Sequence, residues 1–527
     1  MVALTALLLL SALAVFALPV GRRPLANQDE ARFALLAREA VESHHWLLPR
    51  VRGVIYLNKP PLYFWTVGLL ALPFGVVDER TAPIASVVSA LATLLAVIAL
   101  GRRQWSLPVG LAGAMVLATA PYFYFMSHQV LSDMMMTAWL AWALYFLVTA
   151  RSAPAPTTRL VGFYLCVAGA LATKGPAALM GLAGALAVVL VEDGWRGVRW
   201  LRLPLGLGIL ALSTLPWLLP YLLQTERSYV GGVVVHHYGD WYLREKRSSR
   251  MMELLDNLGR FLPWTILLPA GLWWWWRDRD PRRRPLLAWT LVIGVAVSLS
   301  GEQRARYFVP VLPPLSLLVA ELLVHASRDR AARRTLAAFL GVALLIVLAL
   351  VVIVLWLPIG AAARAPSTFM PAAGWERIVA CVLAVAGLAA ATWLIARGDG
   401  LGATTALSVA LAGVLLIEGW GYPTRFAELT NIRGFTGAMS AHLAPDSRVL
   451  AYPDAGLSYD FYLRRPVREL AGAADLEAEL AAPGASDVLL IRESRWAALR
   501  SPAQDRWQVL MADRVGREQV LLLGPRR

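Results

Sequence analysis

Apolar residues dominate this chain in runs of roughly 18–20, the length a helix needs to cross a bilayer. About thirteen such runs occur, near 3–20, 81–100, 107–125, 131–149, 158–174, 176–192, 201–223, 261–276, 285–301, 306–325, 335–358, 376–396 and 402–420. The run 62–76 is shorter and flanked by Pro60, Pro61 and Pro73, which predicts a re-entrant or interfacial helix. Between the first span and the second the pattern changes. Asn27 is placed to cap a helix, with Glu30 three residues on as in a capping box. Phe33, Leu36, Ala37, Ala40 and Val41 then recur with helical spacing, while Arg32, Arg38, Glu39 and Glu42 fall largely on the other side. That pattern predicts an amphipathic helix on the membrane surface, anchored by Trp46. Beyond about residue 430 the runs shorten. Segments 447–452, 487–492 and 518–523 read as strands and 475–482 as a helix.

The expected architecture is therefore an all-α polytopic membrane domain over 1–425. A small soluble α/β domain over 430–527 follows it. The first twenty residues lack a basic leading segment and are expected to stay uncleaved. Of the 527 residues, 58% are hydrophobic and only 16% charged, against about 25% in soluble domains. The net charge of +15 would suggest nucleic acid in a soluble protein. Here arginines cluster in alternate loops at 102–103, 151–159, 196–202, 277–284 and 328–334, which is topological charge. Those loops are expected in the cytoplasm, the C-terminal domain outside it. Cys166 and Cys381 fall in separate apolar spans and offer neither a disulfide framework nor a CxxC site.

This orientation, set by arginine alone, sorts the other polar residues. Asp29, Glu30 and Lys59 fall in the first outer loop, followed by His128 and Asp133, then Lys174-Gly175-Pro176. His236, His237, Asp240, Glu245 and Lys246 lie in a long outer loop near 224–260, and Arg304, Arg306 and Tyr307 in another outer turn. Carboxylates and amines gathered at span ends on one face predict a single extracytoplasmic polar cavity. Lys59 precedes Pro60-Pro61, so its backbone should be extended and its side chain aimed. Arg306-Tyr307 offers a phosphate fork and a hydroxyl. The plain alternatives are a favourable charge at a helix N-terminus for Asp29, Glu30 and Asp133, and snorkelling for Lys59. His236-His237 could ligate a divalent metal, on weak evidence, since two adjacent histidines alone do not make a site. No motif calls for any other cofactor.

The segments Asp29-Glu30-Ala31-Arg32-Phe33, Trp46-Leu-Leu-Pro and Asn58-Lys59-Pro60-Pro61-Leu62-Tyr63-Phe64-Trp65 resemble the bacterial lipid-carrier-dependent glycosyltransferases of the GT-C class. These include the 4-amino-4-deoxy-L-arabinose transferases of lipid A and bacterial relatives of the protein O-mannosyltransferases. Leu131-Ser-Asp133, Lys174-Gly175-Pro176, Phe261-Leu-Pro-Trp264 and Arg306-Tyr307-Phe-Val-Pro310 extend the likeness over residues 1–320. The resemblance implies a sugar donor on polyprenyl phosphate, undecaprenyl phosphate being the expected carrier. The acceptor would be lipid A or another envelope glycan or protein, and the location the bacterial inner membrane with the site facing the periplasm. It further implies that Asp29 lies at the catalytic centre and that Lys59 contacts a phosphate; Glu30 is expected among the catalytic residues with Asp29, and Tyr63 among the phosphate-binding residues with Lys59. Asp133, Lys174, Arg306 and Tyr307 would line the cavity. Asn58 departs from the family, whose lipid A enzymes often carry an acid before the lysine, and this argues against a metal held there.

The chemistry fits the residues without the resemblance. Departing phosphate needs cations, which Lys59, Lys174 and Arg306 supply. A carboxylate supports the oxocarbenium-like centre. A hydroxyl acceptor needs a base, for which Asp29 is the first candidate and Asp133 the second. An already ionised phosphate acceptor needs none. The competing class is a transporter or flippase of lipid-linked sugars. That class places ionisable residues at mid-span and shows repeated halves, and neither is visible here. A scaffold acting through the outer domain would leave the acid–lysine pattern of the first loop without a role.

Overall fold

The computed structural model describes residues 2–56, 58–151, 156–224, 257–298, 304–356, 374–453 and 455–526. Among these residues eight helices are long and apolar enough to cross a membrane, or nine if the bent pair Leu107–Ala118 and Pro121–Ser127 is one span. The expectation of about thirteen differs for local reasons. Thr157–Asp193 counts once, although Gly175, at φ 69°, and Pro176 interrupt it where the sequence suggests two spans. Val2–Ala17, Leu268–Asp278 and Arg284–Ser298 are helices where spans are expected, but each is shorter than eighteen residues. Leu62–Ala71 is short, as the flanking prolines require, and runs into the 3-10 turn Leu72–Phe74.

The chain divides into two compact units. One comprises residues 1–18, 57–63 and 83–420 and holds most of the apolar helices. Inside it Ile84–Gln104 and Leu107–Ala118 meet through glycine. A Cβ on Gly101 would lie 2.5 Å from Gly110 Cα, and one on Gly110 would lie 2.5 Å from the Ile98 carbonyl. Such contact needs residues without side chains, because lipid supplies no hydrophobic drive and packing must hold the pair. The central stretch of the span Ala305–Ala326 is buried by protein, whereas Leu203–Leu223 and Arg330–Val352 are largely exposed. The enclosed span begins with Arg306 and Tyr307.

The other unit comprises residues 19–56, 64–82 and 421–527. Its five-stranded sheet joins Val449–Tyr452, Val467–Glu469, Val488–Arg492, Trp507–Val515 and Glu518–Pro525. The first three are parallel, and Glu518–Pro525 runs antiparallel to both Val488–Arg492 and Trp507–Val515. Successive side chains of a strand face opposite sides, and here both sides are covered. Val449, Ala451, Val488, Leu490 and Leu522 enter one core, and Leu450, Leu489, Ile491, Leu521 and Leu523 the other. That explains why these strands read as continuous apolar runs. Two further strands are not legible from sequence. Val467–Glu469 has three residues, and Trp507–Val515 is a largely exposed edge strand with an irregularity between Val509 and Met511.

The helix Gln28–Glu42 forms as expected, with the Asn27 side chain accepting from the Asp29 amide at 2.9 Å. Two expectations about it are corrected. Glu30 does not close a capping box but pairs with Arg23. The apolar face is not laid on a membrane, since Phe33, Leu36, Ala37 and Ala40 are buried within the protein. The helix packs beside Leu457–Leu463, where Arg38 donates to the Phe461 carbonyl at 2.8 Å and stacks over its ring at 4.2 Å. An amphipathic pattern does not distinguish lipid from a protein partner.

Arg448 hydrogen-bonds Asp487, and with the Gly484 amide at 2.7 Å it holds the Asp487 carboxyl below the usual carboxylate range. A depressed folded pKa adds stability that is complete above the unfolded value near ~3.9 and is lost as pH falls through the folded value. Resistance to thermal unfolding is therefore expected to fall below about pH 4. Asp487→Asn should lower stability at pH 7 and flatten that acid limb. A variant with an unchanged limb would assign the acid sensitivity to other carboxylates.

Candidate functional site

Three segments far apart in sequence deliver one ionic cluster within the first unit. Asp133 lies in the first turn of Ser132–Ala150, Lys174 ends Pro156–Lys174, and Arg306 and Tyr307 open Ala305–Val311. Asp133 is 2% exposed, so its charge requires partners. Lys174 Nζ hydrogen-bonds Asp133 Oδ1, and Arg306 Nε lies 3.8 Å from Asp133 Oδ2. Lys174 Nζ also stands 4.4 Å from the centre of the Tyr307 ring, a cation–π contact that fixes the ammonium. Two cations thus share one carboxylate.

Tyr63 is fully buried, and its hydroxyl lies 2.8 Å from Ser86 Oγ, which donates to the Gln129 carbonyl at 2.5 Å. This relay ties the first turn of Leu62–Ala71 to the bend just before Asp133. Tyr63 is therefore built to hold that turn. Lys59 is half-buried on a bend directly before Pro60. His128 is buried against Tyr124 and Phe125, with ring centres 5.1 and 6.0 Å apart.

Asp29 and Glu30 belong to the second unit, and their surroundings differ sharply. Glu30 is 0% exposed and accepts two hydrogen bonds from Arg23, one of 3.0 Å. Burial works against the Arg23 charge, but Glu30 outweighs it and leaves the guanidinium pKa raised. Asp29 is partly open to solvent in the first helical turn, where its carboxylate accepts from Arg32. Arg32 in turn lies 5.7 Å from the centre of the Tyr56 ring. Burial pushes the Tyr56 hydroxyl up to about 12, so it stays protonated at neutral pH. Of the two neighbouring acids, Asp29 keeps the more accessible carboxylate.

His236 and His237 lie outside the described residues. Among those residues, Asp278, Asp280 and Glu321 come close enough together to hold a metal ion. Arginine occupies that role instead. Arg283 binds Glu321 at 2.9 and 2.6 Å and Asp278 at 2.6 Å, and Arg282 binds Asp280 at 3.0 Å. Ser86 escaped the sequence reading, as lone serines in apolar spans do. One signal was overlooked. Lys59, Lys174 and Lys246 are the only lysines in a chain with 50 basic residues, and all three fall in segments that the arginine pattern assigns to the outer face.

A helical bundle with a charged cluster at its span ends, together with an α/β unit, is the arrangement with which the chain's relatives are compared. Residues 58–222 match the dolichyl-phosphate-mannose-protein mannosyltransferase family. The curated relatives are undecaprenyl phosphate-alpha-4-amino-4-deoxy-L-arabinose arabinosyl transferases. That of Serratia proteamaculans is 26% identical over 72% of this chain and 68% of its own length. That of Pectobacterium carotovorum is 28% identical over 86% and 82%, and that of Pseudomonas aeruginosa is 31% identical over 62% and 60%. For several relatives the match spans about three fifths of their length. The crystal structure of ArnT from Cupriavidus metallidurans bound to undecaprenyl phosphate superposes with a TM-score of 0.81 at 21% identity, covering 98% of this chain and 97% of that one. The same protein in the apo state gives 0.80 at 20% identity. These two structures establish the fold.

Proposed function

We propose that this protein transfers a sugar from polyprenyl phosphate, with undecaprenyl phosphate as the carrier, to an acceptor on the periplasmic side of the inner membrane. A 4-amino-4-deoxypentose is the leading sugar, because the relatives are named for that sugar on that carrier, and lipid A is the acceptor that the sequence resemblance implies. The observation that carries the proposal is the convergence of Lys174 and Arg306 on the buried Asp133.

In the proposed reaction the bond between the anomeric carbon and the carrier phosphate breaks, and the acceptor oxygen attacks the same carbon. Lys174 and Arg306 receive the charge that grows on the departing phosphate, with Lys59 as a further phosphate contact. Asp133 holds both cations in place. A hydroxyl acceptor needs a base, the role that the sequence resemblance implies for Asp29, whereas an acceptor that is already an ionised phosphate needs none. A single displacement inverts the anomeric centre.

The test is transfer by the protein in proteoliposomes supplied with undecaprenyl-phosphate-linked 4-amino-4-deoxy-L-arabinose and lipid A. Glycosylated lipid A of inverted anomeric configuration, with release of undecaprenyl phosphate, is expected. Movement of the intact donor between leaflets without product would establish the flippase reading instead.

A further inference from the structure

The opposite, arginine-rich end of the bundle carries features that sugar transfer does not use. Leu268–Asp278 ends there, Arg330–Trp356 begins there, and Trp375–Ala396 ends there. Close packing just past Trp375–Ala396 brings Gly398 and Gly400 against Arg333, Ser327 and Leu323. A Cβ on Gly400 would lie 1.7 Å from the Leu323 carbonyl, and one on Gly398 would lie 3.3 Å from Arg333 Nη1. Around this junction Arg277, Arg328, Arg330, Arg334 and Arg397 are exposed.

Two of these arginines are mounted on tryptophan. The Arg397 guanidinium lies 3.7 Å from the centre of the Trp393 ring, and that of Arg277 lies 5.5 Å from the centre of the Trp273 ring. A stacked guanidinium is held by its face and keeps its N–H edges for an anion. Arg277 meets Asp329 only at 4.0 Å, and Asp329 is already engaged with the amides of Ala331 and Ala332. The neighbouring surface is apolar, with Leu272 63%, Trp276 71% and Trp393 53% exposed. A free anion would have no use for that surface, whereas a phosphate bearing acyl chains would use both parts.

We propose that this junction is a binding site for an anionic glycerophospholipid of the cytoplasmic leaflet, its phosphate held by Arg277 and Arg397 and its chains lying along Trp276 and Leu272. General topological charge does not explain the arrangement, since arginine in any inner loop would satisfy it. Basic surfaces between span ends on this side of a membrane do select anionic headgroups.

The test uses native mass spectrometry of the full chain in detergent with phosphatidylglycerol or phosphatidylcholine. Retained phosphatidylglycerol is expected, falling about tenfold in an Arg277→Gln, Arg397→Gln double variant. An Arg102→Gln, Arg103→Gln double variant removes the same charge from another inner loop and should bind as the parent does. Equal retention of both lipids, or equal loss in both double variants, would overturn the site. Displacement by millimolar inorganic phosphate would show a simple anion site and would also overturn it. None of these readouts depends on sugar transfer.

Discussion

Asp133→Asn is expected to abolish most turnover, by roughly a hundred- to a thousandfold in kcat, the scale for losing a preorganised electrostatic contact. Asparagine keeps the shape but removes the charge that gathers Lys174 and Arg306. The two cations then repel each other at the edge of the bundle, and breaking a buried pair typically costs about 3–5 kcal/mol. Activity must therefore be read per folded molecule, with insertion and melting followed in parallel. The matching double variant, Asp133→Asn with Lys174→Met, removes one charge of each sign. It should regain stability relative to the single variant yet stay inactive. Recovery of activity together with stability would mean that the cluster only holds the bundle together.

Neighbouring acids should give opposite results. Glu30→Gln leaves Arg23, 5% exposed, without its carboxylate, so a loss of about 3–5 kcal/mol is expected. The protein that does fold should turn over near the parent rate. Asp29→Asn removes a partly exposed carboxylate paired with Arg32. It should change melting little and reduce turnover roughly a hundredfold or more if the acceptor is a hydroxyl that needs a base. Steady-state rates beside melting curves decide this. A stable but inactive Glu30→Gln variant would place Glu30 in the chemistry and reverse the assignment.

What was legible in the sequence follows from which interactions leave a local trace. Helix periods, the Asn27 cap and three apolar strands were readable because each is written within ten residues or so. The edge strand Trp507–Val515 and the three-residue strand Val467–Glu469 were not, since their pairing is fixed by partners rather than by their own pattern. Span counting ran ahead of the structure where Gly175-Pro176 divides one long apolar segment. In the candidate site, Asp133, Lys174, Arg306 and Tyr307 could each be nominated as ionisable or polar groups at span ends, but only the fold shows that they meet. Glu30 could not be separated from Asp29 by sequence, because its partner Arg23 lies before the helix and no local pattern pairs the two. The surface helix failed for a related reason: nothing in its pattern identifies Leu457–Leu463, more than four hundred residues later, as its neighbour.

The most direct measurement is lipid mass spectrometry on the native host, comparing the parent with the Asp29→Asn and Asp133→Asn variants at equal protein levels. Build-up of a single polyprenyl-phosphate-linked sugar in both variants is the expected result, and its mass identifies the sugar. Unchanged carrier-linked sugars in both variants, with the proteins folded and inserted, would contradict the proposed transfer.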